Sequence, residues 1–405
     1  MSDVRRLAVS ILRGGTSRGV FFRAEHLPHD RELIESILRD VFGSPDARQI
    51  NGLGGATVNT SKAAIIGPPT RDDADVDYTF AQVGVKSPIV DWGGNCGNIS
   101  SAVGPFAIDA GLVPAVEGET IVRIHNTNTA KIIIAHVPVN GGRAVRHGDY
   151  AIPGVPGTGA RVDLEFTDPG GSVTGKLLPT GRAQEEMELA DGRRVRVSLV
   201  DAANPCVFVL ASDIGARGTE SPTEIEANVA LCDTLEEIRG IAGEWMGIVP
   251  SRDVALSTSP GLPKVAMVAP AADFTSTSGE PVAATDIDLV VRSMSMQTAH
   301  RALQVTGAVC VGAAAGVEGT LVHEVTRPSD QRPEPDRVRI GIPYGVMDVV
   351  VSSHAAGNGV VVDGVRLGRT ARHIMDGSVW VSADLIADEE APRGDSEMEV
   401  LAALS

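Results

Sequence analysis

The sequence predicts an α+β protein made of two structurally related, pseudo-symmetric halves, each of which wraps strands around one buried helix. The chain has 45 glycines and 24 prolines but only 3% aromatic residues, which is typical of many short strands joined by tight turns. Two apolar, helix-length segments lie among these strands, at 97–108 and 298–315. At 405 residues the chain is also too long for one ordinary hydrophobic core. Its length fits two domains of roughly 150–200 residues each.

The remaining elements follow from local patterns in chain order. Asp30 is a suitable N-cap for a helix over 33–41, where apolar residues recur at helical spacing. Alternating or β-branched segments indicate strands on either side of this helix and throughout the chain. Strands are predicted at 7–12, 20–22, 63–66, 78–85, 120–124, 131–137, 161–166, 194–200 and 206–210.

A Pro/Gly-rich stretch at 152–179 separates the two halves. We therefore expect an N-terminal domain over 1–185 and a C-terminal domain over 186–386. Residues 387–405 are acidic and irregular, which predicts a solvated, flexible tail.

Composition excludes several classes of function. A formal net charge of −17 argues against nucleic acid or an anionic membrane as a partner, although a local cluster of Lys and Arg still permits a small anionic substrate. No apolar run has the roughly 18–20 residues needed to span a bilayer, and no signal-peptide pattern opens the chain, so we expect a cytoplasmic protein. The oligomeric state, whether homodimer or higher homo-oligomer, is left open.

The sequence predicts no metal and no cofactor. Four cysteines lie far apart without a Cys-x-x-Cys pair, and the nine histidines form no His-x-x-x-His pattern. Neither a dinucleotide-binding Gly-x-Gly-x-x-Gly nor a Walker phosphate loop occurs.

The strongest functional signal is Cys96, on a glycine-rich turn directly before the first apolar segment. The free N–H groups that open a helix, here those of Gly97 and Asn98, favour a thiolate and also hold a carboxylate. Most free cysteines are simply small buried hydrophobes, but a turn shared with Asn95 is an unusual choice for packing alone. We therefore expect Cys96 to face a substrate, with Asn95, Gly97 and Asn98 around it.

Lys62 follows a second glycine-rich turn and opens an apolar strand. A lysine partly removed from water there has a lowered pKa and can serve as a general base. A strand-end lysine whose ammonium reaches back to water fits the same pattern, and spacing alone does not exclude it.

Ser17 lies in a Gly-x-Ser-x-Gly pattern, which raises a serine hydrolase as a rival class. The nucleophile elbow of such an enzyme needs a helix after the turn, whereas Val20 and its neighbours favour a strand. The preferred interpretation is a loop in which Thr16, Ser17 and Arg18 bind a substrate carboxylate, with Arg13 as a further countercharge. His300, by contrast, fits a capping or core histidine better than a catalyst.

Eight segments together resemble the PrpF-like family of cofactor-independent isomerases, over nearly the whole chain. That family includes 2-methylaconitate, methylitaconate and 4-oxalomesaconate isomerases, and its fold is similar to diaminopimelate epimerase. The segments are 13–19 (RGGTSRG), 54–62 (GGATVNTSK), 94–99 (GNCGNI), 125–129 (HNTNT), 174–181 (TGKLLPTG), 201–205 (DAANP), 293–296 (SMSM) and 369–372 (RTAR).

The resemblance implies two barrel-like sheets, each around a central helix, with Lys62 and Cys96 as acid/base residues and Ser17 as a substrate contact. Two departures stand out. Arg18 replaces a lysine that many members carry, which keeps the charge but changes the donor geometry. Ile342 and Tyr344 stand where relatives often have a His and a small hydroxyl, so a different or less polar substituent is expected if that segment lines the pocket.

The implied reaction is a 1,3-proton shift in an unsaturated di- or tricarboxylate, through a dienolate-like intermediate. Which of Lys62 and Cys96 is acid and which is base stays open, and so does a reaction in which Lys62 alone serves as both. One alternative is an amino-acid epimerase or racemase with two opposed cysteines, although Cys310 lies too far into its helix to fit easily. Another is a non-catalytic carboxylate-binding protein.

Overall fold

The computed structural model describes residues 3–356 and 359–385, so the predicted tail at 387–405 lies outside the described residues. The first half of the chain forms β1 (Val4–Gly14), β2 (Ser17–Arg23), α1 (Arg31–Phe42), β3 (Lys62–Gly67), β4 (Val76–Val83), β5 (Val90–Asp91), α2 (Gly97–Asp109), β6 (Gly118–Asn126), β7 (Lys131–Asn140), β8 (Arg143–Ala144) and β9 (Arg161–Thr167).

The second half continues the alternation of short strands and helices. It forms β10 (Glu185–Glu188), β11 (Arg194–Ala202), β12 (Asn204–Leu210), α3 (Pro222–Ala227), α4 (Val229–Trp245), α5 (Ala255–Thr258), β13 (Lys264–Pro270), β14 (Phe274–Thr275), β15 (Pro281–Val282), β16 (Leu289–Ser295), β17 (Thr298–Ala299), α6 (Val305–Ala315), α7 (Leu321–Val325), β18 (Arg337–Ile342), β19 (Gly345–Ala356) and β20 (Gly359–Ser382).

The predicted α+β fold is confirmed, and each predicted strand overlaps an observed one. The helix predicted after Asp30 is also confirmed as α1. Its cap forms as expected, because the Asp30 carboxylate accepts the backbone N–H of Leu33 at 3.0 Å. Gly43 ends the helix in the left-handed conformation that glycine adopts without strain.

The two apolar helices form the centre of the molecule. Residues 97–108 of α2 are all buried, and α6 is buried along its whole length. Both helices belong to the same hydrophobic cluster, so the two halves share a continuous core. A helix with no polar face is stable only in such surroundings, because every side of it must be removed from water.

The strands around these helices repeat one pairing scheme. Strand β2 runs parallel to β3, which is antiparallel to β4, and β4 pairs with β5 and runs parallel to β6. In the second half, β12, β13, β16, β17 and β18 pair in the same order and directions. The structure therefore contains the internal repeat that the pattern predicts, with α2 equivalent to α6.

One predicted helix boundary is wrong. The second apolar segment was expected to be helical from Thr298, but α6 begins at Val305. Thr298 instead forms the short strand β17 after a turn in which Met296 and Gln297 have positive φ angles of 50° and 63°. Within the residues described, no helix combines the length and apolar character needed to cross a bilayer.

The final strand joins the halves. β20 pairs with β19 at its start, with β9 across Gly364–Thr370, and with β1 across Ala371–Ser382. Strand β20 therefore completes the sheet of the first half. A boundary at residue 185 stays a prediction.

Candidate functional site

A cavity lies where the N-termini of α2 and α6 meet. The first residues of the two helices, Gly97 and Val305, are in direct contact, since a Cβ added to Gly97 would lie 2.5 Å from Val305 Cγ1. The cavity is lined by Ser17, Asn59, Lys62, Phe80, Gln82, Asp91, Gly94, Asn95, Cys96, Gly97, Asn98, Asn204, Gly261, Leu262, Lys264, Ser295, Met296, His300, Gln304, Val305 and Thr306.

Cys96 is the N-cap residue of α2 and is partly exposed. Its carbonyl accepts the backbone N–H of Ser100 at 2.9 Å, which starts the helix. The backbone N–H groups of Gly97 and Asn98 lie in the first turn of α2, where no carbonyl of the same helix accepts them. They are therefore available to bind an anion. The thiol and these donors lie beside the same cavity.

Asn204 fixes the turn before Cys96 from the other half of the molecule. Its side chain accepts the backbone N–H of Asn95 at 3.2 Å and donates to the Asn95 carbonyl at 3.1 Å. The same amide donates to Thr306 Oγ1, in the first turn of α6, at 3.1 Å. One buried side chain thus couples the thiol-bearing turn to the second helix.

Lys62 opens β3 with 8% of its surface exposed. Its ammonium donates to Gln82 Oε1 at 2.5 Å and lies 5.3 Å from the centre of the Phe80 ring. The Gln82 amide in turn donates to the Ser61 carbonyl at 2.9 Å, which sets its orientation. The side chain is therefore held at the cavity wall by a neutral hydrogen-bond partner.

Lys264 also lines the cavity, and the sequence analysis missed it. It donates to the Gly261 carbonyl at 3.1 Å. Burial lowers the pKa of Lys264 from its ordinary value and is the largest influence on it. Cys206 raises this pKa, whereas the charge of Lys62 lowers it further. The overlooked signal was a lysine directly before an apolar strand, the same pattern that drew attention to Lys62.

His300 faces the cavity as a neutral ring. It is 8% exposed, and burial lowers its pKa to about 4. The backbone N–H of Ala302 donates to Nδ1 at 3.1 Å, so the neutral ring carries its proton on Nε2. Of the two roles that the sequence favoured, His300 is a buried histidine and not a helix cap, because the N-cap of α6 is Gln304, and its Nε2–H group is a donor in the wall of the cavity.

Of the other residues singled out from the sequence, Ser17, Asn95, Gly97 and Asn98 line the cavity with Lys62 and Cys96. Asn98 Oδ1 accepts the backbone N–H of Thr16 at 3.2 Å, which joins the first glycine turn to α2.

Thr16 and Arg18 are not among the lining residues. The backbone N–H of Arg18 donates to the Asn59 carbonyl at 2.9 Å, and its guanidinium lies beside the turn at Gly55. Arg13 donates to the carbonyls of Gly15 and Thr370, so it braces the turn from behind. Substrate binding by Thr16 and Arg18 stays a prediction.

The segment around Ile342 and Tyr344 lies elsewhere. Ile342 is fully buried in the core, and the Tyr344 ring packs against Gly154. A different or less polar substrate substituent was expected only if this segment lined the pocket. Neither Ile342 nor Tyr344 lines the cavity, so that condition is not met.

The charge of the cavity differs from that of the protein as a whole. Lys62, Lys264 and the positive ends of two helix dipoles line the cavity, whereas the chain carries a net charge of −17. Asp91 is the acidic residue among the lining side chains, and the Gly93 N–H donates to it at 2.8 Å. In the described parts of the chain, no group of three or more His, Cys, Asp or Glu residues is arranged to hold a metal. Such an arrangement is chemically suited to hold a small anion and to transfer protons.

Comparison with known proteins agrees with this chemistry. Residues 4–382 match the family described as PrpF protein. The chain is 46% identical to a 3-methylitaconate isomerase of Eubacterium barkeri, covering 94% of this chain and 98% of that protein. It is 38% identical to a 2-methyl-aconitate isomerase of Cupriavidus necator (94% and 98% covered) and 41% identical to a (4E)-oxalomesaconate Delta-isomerase of a Novosphingobium species (91% and 96% covered).

Solved structures extend the comparison. A crystal structure of methylitaconate-delta-isomerase superposes with a TM-score of 0.78 at 46% identity, covering 97% of this chain and 100% of that one. A hydroxyproline epimerase from Agrobacterium vitis superposes with a TM-score of 0.53 at 11% identity, covering 95% and 94% of the two chains, which shows a shared fold alone. The chain therefore belongs to the PrpF protein family and is an isomerase.

Proposed function

We propose that this isomerase catalyses a cofactor-independent 1,3-proton shift in an unsaturated di- or tricarboxylic acid of the methylitaconate, methylaconitate or oxalomesaconate kind. The observation that carries the proposal is that Lys62 and Cys96 line one cavity at the N-terminus of α2. An allylic proton shift uses a base, a proton donor and an anion site, and one residue can serve as both base and donor.

In the first step, the neutral amine of Lys62 removes a proton from the allylic carbon. The C–H bond breaks, an N–H bond forms, and the electron pair moves through the double bond to the carboxylate, giving a dienolate. The N–H groups of Gly97 and Asn98 and the dipole of α2 stabilise the negative charge that develops on the oxygens.

In the second step, a proton is added at the far carbon, and the double bond is left in its new position. The thiol of Cys96 either gives this proton or holds the carboxylate during the transfer. Residues from both halves line the cavity, so a bound substrate displaces water from it, which strengthens the electrostatic interactions there.

A racemase with two opposed thiols is the second candidate, and two observations weigh against it. The residue equivalent to Cys96, directly before α6, is Gln304. Cys310 lies within α6, is fully buried, and donates to the Val200 carbonyl at 3.4 Å. All four cysteines lie in the described parts of the chain, and neither Cys206 nor Cys232 lines the cavity.

Proton NMR in D2O tests the proposal directly. The purified protein is mixed with cis- and trans-aconitate, 2-methylaconitate, methylitaconate and 4-oxalomesaconate, without added metal or cofactor. We expect double-bond migration and deuterium at an allylic position with at least one acid, and loss of both with Lys62→Ala. Deuterium entry at the α-carbon of an amino acid, with no change in any of the unsaturated acids, would establish the racemase instead.

A further inference from the structure

A second cavity adjoins the one that Lys62 and Cys96 line, which is called the reaction cavity here. The second cavity lies beside helix α4 and has a volume of about 280 Å³, whereas the reaction cavity has about 70 Å³. Within the described parts of the chain, the residues that border both are Gly261, Lys264, Ser295 and Met296. These residues form a wall between a small polar space and a much larger one.

Met296 supplies the long apolar side chain of this wall. Its Sδ would lie 3.8 Å from a Cβ added to Gly261, so the thioether reaches from the turn between β16 and β17 to the loop before β13. Gly261 itself has no side chain, and the ammonium of Lys264 donates to the Gly261 carbonyl at 3.1 Å. Removal of the Met296 side chain would therefore join the two cavities.

The turn that carries Met296 is strained. Met296 and Gln297 form the two-residue loop of the β16–β17 hairpin, with φ angles of 50° and 63°. Asn and Gly are the usual residues of such a loop, because other side chains adopt this conformation at a cost. The Gln297 amide donates to the Pro260 carbonyl at 3.2 Å, which anchors the turn. A methionine kept where glycine is more stable indicates a functional position.

The walls of the second cavity suit an uncharged group. Its apolar surface comes from Leu256, Pro260, Pro263, Val265 and Met294. The Arg239 guanidinium also lines it but is already occupied, since it donates to both carboxylate oxygens of Glu236, at 2.6 and 2.8 Å, and to two backbone carbonyls. Asp233, which is exposed, adds a negative charge at the rim. This cavity therefore favours an alkyl group over a further carboxylate.

The first half of the molecule fills the corresponding space with Trp92. Helix α1 lies between β2 and β3 as α4 lies between β12 and β13, and Trp92 follows β5 as His300 follows β17. The Trp92 indole donates to Glu35 on α1 at 2.8 Å, and the Arg31 guanidinium lies 4.4 Å from the centre of its ring. The second cavity is therefore not a necessary product of the fold.

We propose that Met296 sets the largest substituent that the substrate can carry, by closing the reaction cavity against the second cavity. This assignment rests on the proposed function and leaves the proton transfers to Lys62 and Cys96. A methyl group on the acid stays within the reaction cavity, whereas a longer alkyl chain meets the Met296 side chain. Once that side chain is removed, the alkyl chain extends into the second cavity, where burial of its apolar surface raises the affinity.

Calorimetric titration with two saturated acids, methylsuccinate and n-butylsuccinate, tests the size limit without any reaction. Met296→Gly is the test variant, because glycine adopts the conformation of this turn without strain. We expect the wild type to bind butylsuccinate about 10-fold or more weakly than methylsuccinate. The variant should shift the ratio of the two dissociation constants by about 10-fold or more in favour of butylsuccinate, since each buried methylene raises affinity about fourfold.

Met294→Ala is the matched control, because Met294 lines the second cavity but not the reaction cavity. It enlarges the second cavity without joining the two, so the ratio should stay within about threefold of the wild type. The size limit is overturned if the wild type binds both acids equally, if Met296→Gly leaves the ratio unchanged, or if Met294→Ala shifts it as much. The proposed function survives each of these results. A wild type that binds neither acid would instead overturn the proposed function, and the size limit with it.

Discussion

Gly97 and Val305 form the contact at which the two halves of the molecule meet. They are the first residues of α2 and α6, and a Cβ at position 97 would lie 2.5 Å from Val305 Cγ1 and 2.7 Å from Val305 Cβ. Only a residue without a side chain allows the two helix ends to approach this closely. The close approach concentrates two positive helix ends in one small cavity.

Gly97→Ala should therefore lower both stability and activity. The added methyl group has no free space, because Phe166 Cζ lies 3.2 Å away on another side. We expect a loss of about 1–3 kcal/mol in the free energy of unfolding, measured by urea denaturation, together with a fall in kcat.

The matched control is the double variant Gly97→Ala/Val305→Ala, which removes the atoms that the new methyl group meets. It should recover part of the stability lost in the single variant, after correction for Val305→Ala alone. If the stability losses of the two single variants simply add up in the double variant, the contact does not set the distance between the helices.

Gln82→Leu should reduce kcat by about 10- to 100-fold and change KM little. Gln82 Oε1 accepts a hydrogen bond from the Lys62 ammonium at 2.5 Å. Without this bond the lysine side chain loses its fixed orientation toward the substrate. Steady-state kinetics on the best acid of the panel measures the effect. Gln184→Leu, in which a similar amide outside the cavity is removed, should leave both constants unchanged. A change confined to KM would mean that Gln82 binds substrate rather than positioning Lys62.

Asn204→Ala tests the connection between the thiol-bearing turn and α6. The substitution leaves the N–H and carbonyl of Asn95 without their partner, which should cost about 1–3 kcal/mol of stability. It should also lower kcat, because the position of Cys96 depends on this turn. Asn140→Ala, at an exposed strand end, is the control and should change neither quantity by a measurable amount. Full activity in Asn204→Ala would show that α2 alone holds the turn.

Much of this arrangement could be predicted from the sequence because the signals are local. An apolar helix preceded by a glycine-rich turn identified α2 and Cys96, and a glycine-rich turn before an apolar strand identified Lys62. Helix α4 carries similar local signals that were not used. The Asn228 side chain accepts the N–H of Leu231 at 3.1 Å, and Leu231, Leu235 and Ile238 are buried at helical spacing.

The rest of the site depends on contacts that no local pattern contains. Lys264 reaches the cavity only because β13 takes the same register in the second half that β3 takes in the first. His300 lies there because the chain turns sharply at Met296 and forms β17 before α6 begins. A search for repeated local patterns, rather than for sequence identity between the halves, would have found the lysine but not the histidine.

The neutral state of His300 predicts a specific pH dependence of stability. Its pKa is lowered to about 4 in the folded protein, whereas an unfolded histidine titrates near 6.5, so the unfolded state binds more protons between these values. The contribution of the neutral His300 ring to the free energy of unfolding is complete above about pH 6.5 and is lost as the pH falls toward 4. At pH 4.5 the loss should be about 2 kcal/mol relative to pH 7.

His300→Asn isolates this contribution, because an amide oxygen can still accept the N–H of Ala302 while carrying no titratable group. Urea denaturation of both proteins at pH 4.5 and pH 7 should show a smaller decrease on acidification for the variant. His373 provides the contrast, since the nearby Asp109 carboxylate, 3.8 Å from its Nδ1, raises its pKa, and the stabilising effect of His373 is lost as the pH rises. An equal decrease in the wild type and His300→Asn would mean that folding does not lower the pKa of the ring, and would contradict a His300 that stays neutral at pH 4.5 in the folded protein.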